Sequence, residues 1–241
     1  MATADLLPRP TPKPPRDPFP RPWTLGEFDR MKGLGLFAGR TVVLDDNVVT
    51  EQFPDAARPF VFTRKEYYAL WDAGFFRDQR VQLIGGVIVQ ETPMNPPHAS
   101  VIRLMTKALE RIFGDGFDVR VQLPVDLGLV SEPHPDLAVV IGEIRDYLVD
   151  HPKTAVLIVE VADSTLEEDT HTKASLYAAG EIADYWVINV SGRVLVFRDP
   201  KPAVSEPFGF TYARLSAFGR DETVTPLAAP NCPIRVSEMR V

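Results

Sequence analysis

PHPDLAVV (residues 133–140) and LIVEVADST (157–165) each carry one carboxylate beside or within an apolar run. Asp136 stands just before the first strand and Glu160 near the end of the second. If these strands pair antiparallel, the start of one lies beside the end of the other and the carboxylates converge. Acids meeting on otherwise apolar strands are costly unless something positive sits between them. A hard divalent cation, Mg²⁺ or Mn²⁺, meets that need because it takes oxygen ligands and keeps part of its water shell. The same residues also allow a plainer reading, in which both acids are solvent-facing strand ends or one caps the following turn.

Downstream, STLEEDTHTKASLYAAG (164–180) reads as a capped helix closed by Gly180. On that helix Lys173 shares a face with Leu176 and Tyr177, three and four residues on. Those two are expected to pack on the sheet, so Lys173 points inward, where an unpaired lysine is seldom tolerated. Asp136 and Glu160 are its obvious partners. Asp169, one turn earlier, offers a surface i,i+4 pair instead.

Further strand-like runs surround this centre: FDVRVQLPVDL (117–127), LAVVI (137–141), AVLIVEV (155–161), DYWVINV (184–190) and RVLVFRD (193–199). A helix precedes them from residue 98, with Ile102, Met105, Leu109 and Ile112 at helical spacing and Gly114 at its end. Its Arg103, Lys107 and Arg111 form a basic stripe that reads as a solvated face. Helix, strands, helix, strand in that order predict an α/β domain. Past residue 200, FTYARL (210–215) and ETVTPL (222–227) read as a hairpin-like pair edging the sheet.

The N-terminal third contains a duplication. TLGEFDRMKGLGLFAGRTVVLDDNVVTEQ (24–52) aligns without gaps on TRKEYYALWDAGFFRDQRVQLIGGVIVQE (63–91) at an offset of 39. Each copy reads as a short helix N-capped by Thr with Glu three residues on, a Gly turn, and two strands about a tight turn. Two copies are too few for a solenoid, so the unit is a duplicated α-ββ element, and the first copy (23–60) is expected to be an appendage to a core at 61–200. Residues 201–241 are then a C-terminal β extension. Residues 1–22 carry eight prolines and are expected to form a disordered or polyproline-like tail.

The totals limit the classes of function. A net charge of −7, from 33 acidic and 26 basic residues, counts against a protein that coats nucleic acid, although metal-binding acids add negative charge that bound ions offset. One cysteine, Cys232, rules out an internal disulfide and suits a reducing compartment. The first residues show no apolar signal core, and no stretch reaches the length that spans a bilayer, so a cytoplasmic protein is expected.

Taken together, His98, Pro135-Asp136-Leu-Ala-Val-Val, Ile158-Val-Glu160-Val-Ala-Asp-Ser-Thr, Lys173 and Tyr177 through Trp186 resemble the bacterial "putative restriction endonuclease" family of the PD-(D/E)xK nuclease superfamily. The resemblance covers roughly residues 60–200. It implies a restriction endonuclease-like α+β core, a mixed β-sheet flanked by helices, and Mg²⁺- or Mn²⁺-dependent hydrolysis of DNA phosphodiester bonds. Asp136 matches the aspartate of PD and Glu160 the acid of (D/E)xK, and these two would be the metal ligands. The superfamily lysine falls at Ala162, and the resemblance moves its role to Lys173. His98 matches a family histidine that could orient water or phosphate, or simply hydrogen-bond within its own helix start. Gln82 stands where the family often carries an acid, and it could contact the attacking water. The first copy has Val43 at that place. DNA is the expected partner, and a homodimer is allowed. Gln82 also supports an alternative: a catalytically reduced nuclease-fold protein acting in nucleic-acid binding or regulation. A third class is an interaction protein using the duplicated unit and the proline tail.

Overall fold

The computed structural model describes residues 20–91, 93–163, 165–190 and 192–239. The first copy of the duplicated unit folds as α1 (Leu25–Gly33), β1 (Val42–Asp45) and β2 (Val48–Gln52), followed by β3 (Ala57–Pro59) on the edge of β2. The second folds as α2 (Arg64–Asp72), β4 (Val81–Ile84) and β5 (Val87–Gln90). Both helices begin with the expected capping box, Thr24 with Glu27 and Thr63 with Glu66, which satisfies two otherwise orphaned N–H groups reciprocally. Both hairpins turn through two residues of positive φ. These are Asp46 (44°) and Asn47 (64°) in one copy, and Gly85 (57°) and Gly86 (79°) in the other.

The first copy does not stand apart from the second. Trp23, Phe28, Met31, Phe37 and Val49 bury in the same hydrophobic cluster as Tyr67, Leu70, Phe75, Phe76, Val81, Leu83 and Ile88. Neither short unit could bury its apolar face alone. The expected disordered tail falls mostly on residues 1–19, outside the described residues, but its last three residues are ordered. Pro20 bridges Val89, the Arg21 N–H donates to the Ile88 carbonyl, and the buried Arg21 guanidinium bonds Gln79 and Glu27 beneath the Trp23 ring.

The main sheet follows α3 (Pro96–Phe113), whose end at Gly114 falls where the sequence placed it. Its strands are β6 (Phe117–Val121), β7 (Leu137–Ile141), β8 (Leu157–Ala162), β9 (Asp184–Asn189), β10 (Val194–Pro202) and β11 (Phe210–Phe218), in spatial order β11-β10-β9-β8-β7-β6. Every neighbouring pair is antiparallel except β8 with β9, which is parallel and therefore needs a crossover. That crossover contains α4 (Leu166–Thr170) and α5 (Thr172–Ala179). Period-two alternation then assigns the faces. Leu137, Val139, Leu157, Val159, Val161, Trp186 and Ile188 pack against α3, whereas Ala138, Val140, Ile158, Ala162, Tyr185 and Val187 pack against α5. This is the mixed-sheet α+β architecture that the family resemblance implied.

Three expectations are corrected. The helix expected over 164–180 is two helices broken at His171 (φ −119°, ψ −69°). Tyr185 OH donates to the Asp169 carbonyl at 2.7 Å, the acceptor that a continuous helix would offer to the Lys173 N–H. The strand expected over 117–127 stops at Val121, because Gln122 turns at φ 50° and Pro124 has no N–H for a ladder. FTYARL and ETVTPL do not pair with each other. The first lies in β11, on the sheet edge, while Thr223–Val224 (β12) pairs with Ile234–Arg235 (β13) in a separate ribbon. Val224, Ile234, Val236 and Met239 of that segment join the α3-side core, so 201–241 completes the fold rather than extending it. Buried Asp184 fastens the segment by accepting from Trp186 Nε1, Arg198 Nε and the Leu227 N–H. Among the described residues no helix is long and apolar enough to cross a membrane.

Candidate active site

The antiparallel register Leu137↔Val159 sets the start of β7 beside the end of β8, so Asp136 and Glu160 converge. Glu160 sits between Ile158 and Ala162 on the α5 face, and Asp136 shares that parity with Ala138. The Asp136 N–H points at Glu160 Oε2 (3.4 Å), and Asp136 Oδ2 accepts the Val161 N–H (2.9 Å). Both carboxylates are buried, so the alternative of two solvent-facing strand ends does not describe this structure.

Lys173 comes down onto this point from α5. Its Nζ lies 3.1 Å from Glu160 Oε2 and 3.0 Å from Asp169 Oδ1, so the inward pair and the i,i+4 pair coexist. The i,i+4 pair is not a surface pair, since the Asp169 side chain is 1 % exposed and that of Lys173 13 %. Thr165 Oγ1 holds the other Asp169 oxygen (2.6 Å), and Tyr177 OH holds Glu160 Oε1 (2.6 Å). Ala162, at the superfamily lysine position, faces the same way as Glu160 but packs with Ala174, Tyr177 and Ala178. The ammonium at this site arrives from the helix and not from the strand.

His98, in the first turn of α3, brings Nε2 to 3.1 Å from Asp136 Oδ2, while its backbone N–H goes to the Asn95 cap. Its ring is therefore directed into the site. Gln82 lines the same cleft and accepts the His134 N–H at 3.0 Å. All five residues singled out from the sequence thus line one cleft. Sequence reasoning missed Gln122, which donates to Asp136 Oδ1 (3.0 Å) from a left-handed backbone position that nothing in QLP announces. It also missed His134 and Glu91, paired at 2.6 Å. Asn95 ahead of Pro96-Pro97 was a legible cap signal.

The electrostatics follow from burial set against neighbours. Burial holds the Glu160 carboxyl well above the ordinary range, against the pull of Lys173, and the Asp136 and Asp169 charges add to the rise. Asp136 is lowered: burial opposes this, but the His98 hydrogen bond and charge outweigh it, with help from Lys173 and the Val161 N–H. Burial would lower Lys173, yet the carboxylates of Asp169 and Glu160 push it well above its usual value. His98 is likewise raised, by Asp136 against its own desolvation. Asp136 and Glu160 thus titrate in opposite directions.

Six acids line the cleft (Glu91, Asp136, Glu160, Asp163, Glu168 and Asp169) against one lysine and two histidines. Among the described residues, no three Asp, Glu, His or Cys side chains are already arranged around an ion position. The donor set nevertheless suits a hard divalent cation: two carboxylates meet at one point and waters can supply the remaining ligands. The excess of negative charge favours a cation there.

The sequence profile of the Uma2 family, described as "Putative restriction endonuclease", matches residues 64–235. The chain belongs to this family. No curated protein matches it. A crystal structure described as a putative nuclease belonging to DUF820, from Anabaena variabilis ATCC 29413, is similar with a TM-score of 0.57 at 16 % identity. The likeness covers 74 % of this chain and 97 % of that one, and at such identity it is one of fold. The Uma2 match starts at Arg64 and so takes in the second copy of the duplicated unit but not the first. It runs through β13, in keeping with a C-terminal segment that is part of the core.

Proposed function

We propose that this Uma2 protein is a metal-dependent endonuclease that hydrolyses DNA phosphodiester bonds in the cleft between β7, β8 and α5. The observation that carries the reading is the convergence of Asp136, Glu160 and Lys173, with Lys173 Nζ 3.1 Å from Glu160. Asp136 and Glu160 would hold Mg²⁺ or Mn²⁺, which when bound supplies a water of lowered pKa and stabilises charge on the phosphorus. Lys173 binds a phosphate oxygen or the attacking water with its ammonium, as a compact charge held by two carboxylates. Tyr177 fixes the orientation of Glu160, and Gln122 and the Val161 N–H fix that of Asp136. His98 holds Asp136 ionised and presents an imidazole at the cleft wall.

Supercoiled plasmid incubated with Mg²⁺ or Mn²⁺, beside an Asp136→Ala control, tests this reading. Nicked or linear product that needs the metal and is absent from the control supports it. Intact plasmid with both metals refutes it. A second reading, a nuclease-fold protein with reduced catalysis acting by binding, is favoured by one observation. Gln82 places a carboxamide, not an acid, on the cleft wall, and its oxygen is taken by the His134 N–H. Metal-independent binding of DNA without cleavage would select it.

A further inference from the structure

The cleft is short of the charge that a DNA backbone needs. Phosphates are bound mostly by lysine and arginine. Among the described residues the cleft is lined by one lysine, Lys173, and it is held by Glu160 and Asp169. Arg80, which braces two of the lining residues, is taken by Glu91 (2.9 Å) and Gln122 (3.1 Å). The basic stripe of α3, Arg103, Lys107 and Arg111, is exposed, but it lies opposite Val101, Ile102, Met105 and Leu109, which α3 buries against the sheet. It therefore looks away from Asp136 and Glu160, which stand on the α5 face.

The duplication shows where further charge arrives. The segment that leads into each repeat helix pairs with the other copy's hairpin. The Phe60 N–H donates to the Val49 carbonyl (2.8 Å), and the Arg21 N–H to the Ile88 carbonyl (2.9 Å). At the offset of 39, residue 21 is equivalent to 60 and residue 49 to 88. Ahead of Phe60, β3 runs antiparallel along β2, with Pro59, Arg58 and Ala57 opposite Thr50, Glu51 and Gln52. The equivalent partners on β5 and just beyond it are Val89, Gln90 and Glu91, and Pro20 already bridges Val89. Gln90 and Glu91 line the cleft. The backbone direction at Pro20 thus points along β5 to the cleft, from an anchor fixed by buried Arg21 through Gln79 and Glu27.

Residues 8–16, PRPTPKPPR, carry three positive charges and no acid, with Asp5 and Asp17 outside the run. They lie outside the described residues. At about 3.1 Å per residue, the rise of an extended proline-rich chain, Arg16, Lys13 and Arg9 can reach roughly 12, 22 and 34 Å from Pro20. We infer that Arg9, Lys13 and Arg16 form a phosphate-binding arm for duplex DNA laid across the cleft, an inference that rests on the nuclease reading above. The prolines between them offer no N–H to a sheet ladder, which leaves the basic side chains to the ligand. Counterion release on neutralising phosphates then supplies the affinity that a cleft lined by six acids does not.

The test is fluorescence anisotropy of a 20-base-pair duplex with the full chain, Ca²⁺ as the only divalent ion, and salt raised from 50 to 200 mM. Each neutralised phosphate contributes about 0.9 to the slope of log affinity against log salt, so Arg9→Gln, Lys13→Gln and Arg16→Gln combined should remove about 2.7 of it. Over this four-fold range the wild-type chain should weaken about 40-fold more than that variant. Arg9→Lys with Arg16→Lys keeps the charge and should keep the slope. Arg103→Gln, Lys107→Gln and Arg111→Gln combined should keep it as well. The melting temperature and Mn²⁺ affinity of the arm variant should match wild type. An unchanged slope in the arm variant overturns the inference, and leaves the nuclease reading standing where the wild-type chain cleaves plasmid. A slope that falls in the α3 variant instead moves the backbone contact there and also overturns it. Tighter Mn²⁺ binding by the arm variant with an unchanged slope would show the basic run lying on the acids of its own cleft, which overturns it too. No wild-type binding of the duplex, with no plasmid cleavage, overturns the nuclease reading and this inference with it.

Discussion

Replacing Lys173 by alanine should destabilise the metal-free protein by about 3–4 kcal/mol, a cost that the helix propensity of alanine does not offset. The ammonium stands about 3 Å from two carboxylates whose side chains are only 2 % and 1 % exposed. At an effective dielectric near 20, each contact is worth about 5 kcal/mol before desolvation is deducted. Losing one partner of a buried pair costs about 3–5 kcal/mol because the survivor is left uncompensated. The penalty has a ceiling, since Glu160 is already held above the ordinary carboxyl range and can take up a proton. A carboxyl whose folded pKa exceeds its unfolded value favours folding while protonated, and loses that contribution as pH rises through the folded pKa. The deficit of Lys173→Ala should therefore be smaller at pH 5 than at pH 8. Thermal melts in EDTA measure this, with an expected fall of roughly 10 °C at pH 8 for a chain of this size. A loss below 1 kcal/mol with no pH trend would show that the ammonium does not hold the two carboxylates together. In the cleavage assay Lys173→Arg should also fail, because a planar guanidinium does not fit a site built around a compact charge.

Asp136→Asn and Glu160→Gln should each remove most Mn²⁺ binding by calorimetry; undiminished binding in both would place the ion elsewhere. Deleting residues 1–55 should abolish cooperative melting, since it strips Trp23, Phe28, Met31, Phe37 and Val49 from a cluster shared with Tyr67, Leu70 and Phe76. A truncated chain that still melts in one sharp transition would restore the view of the first copy as an appendage. Gly86→Ala should lower stability by about 2 kcal/mol or more, because φ is 79° and the new Cβ would lie 2.3 Å from Val61 Cγ1; an unchanged melting temperature would contradict the turn.

The parts legible in the sequence were those set by local periodicity. The alternation of LAVVI and LIVEVA fixed which side chains share a face, and with it the meeting of Asp136 and Glu160. The spacing of Lys173 to Leu176 and Tyr177 likewise gave the inward direction of the lysine. What escaped was long-range. The break at His171 depends on a tyrosine hydroxyl sixteen residues away from the carbonyl it takes. The integration of the two repeats depends on aromatic faces that are each apolar but whose mutual burial no single copy reveals. Gln122 entered the site through one left-handed backbone position, which carries no pattern in the sequence.

The duplicated hairpin shows how the same backbone can take on different work without a change of fold. In the first copy β1 has β2 alone as a neighbour and turns Val43 partly to solvent. In the second, β4 bridges Glu132 through Leu83, which draws the hairpin against the segment leading to Asp136. Arg64 clamps the same junction by pairing with Glu132 and Asp126, and Tyr68 donates to Glu132. That docking puts position 82 in the cleft that Asp136 and Glu160 line, and burial there selects a side chain with hydrogen-bond partners over one without. A glutamine at 82 meets the demand through the His134 N–H, whereas an acid there would add a seventh carboxylate to a cleft already short of positive charge. If the metal reading holds, Gln82→Glu should therefore tighten Mn²⁺ binding; an unchanged affinity would show that position 82 lies outside the reach of the ion.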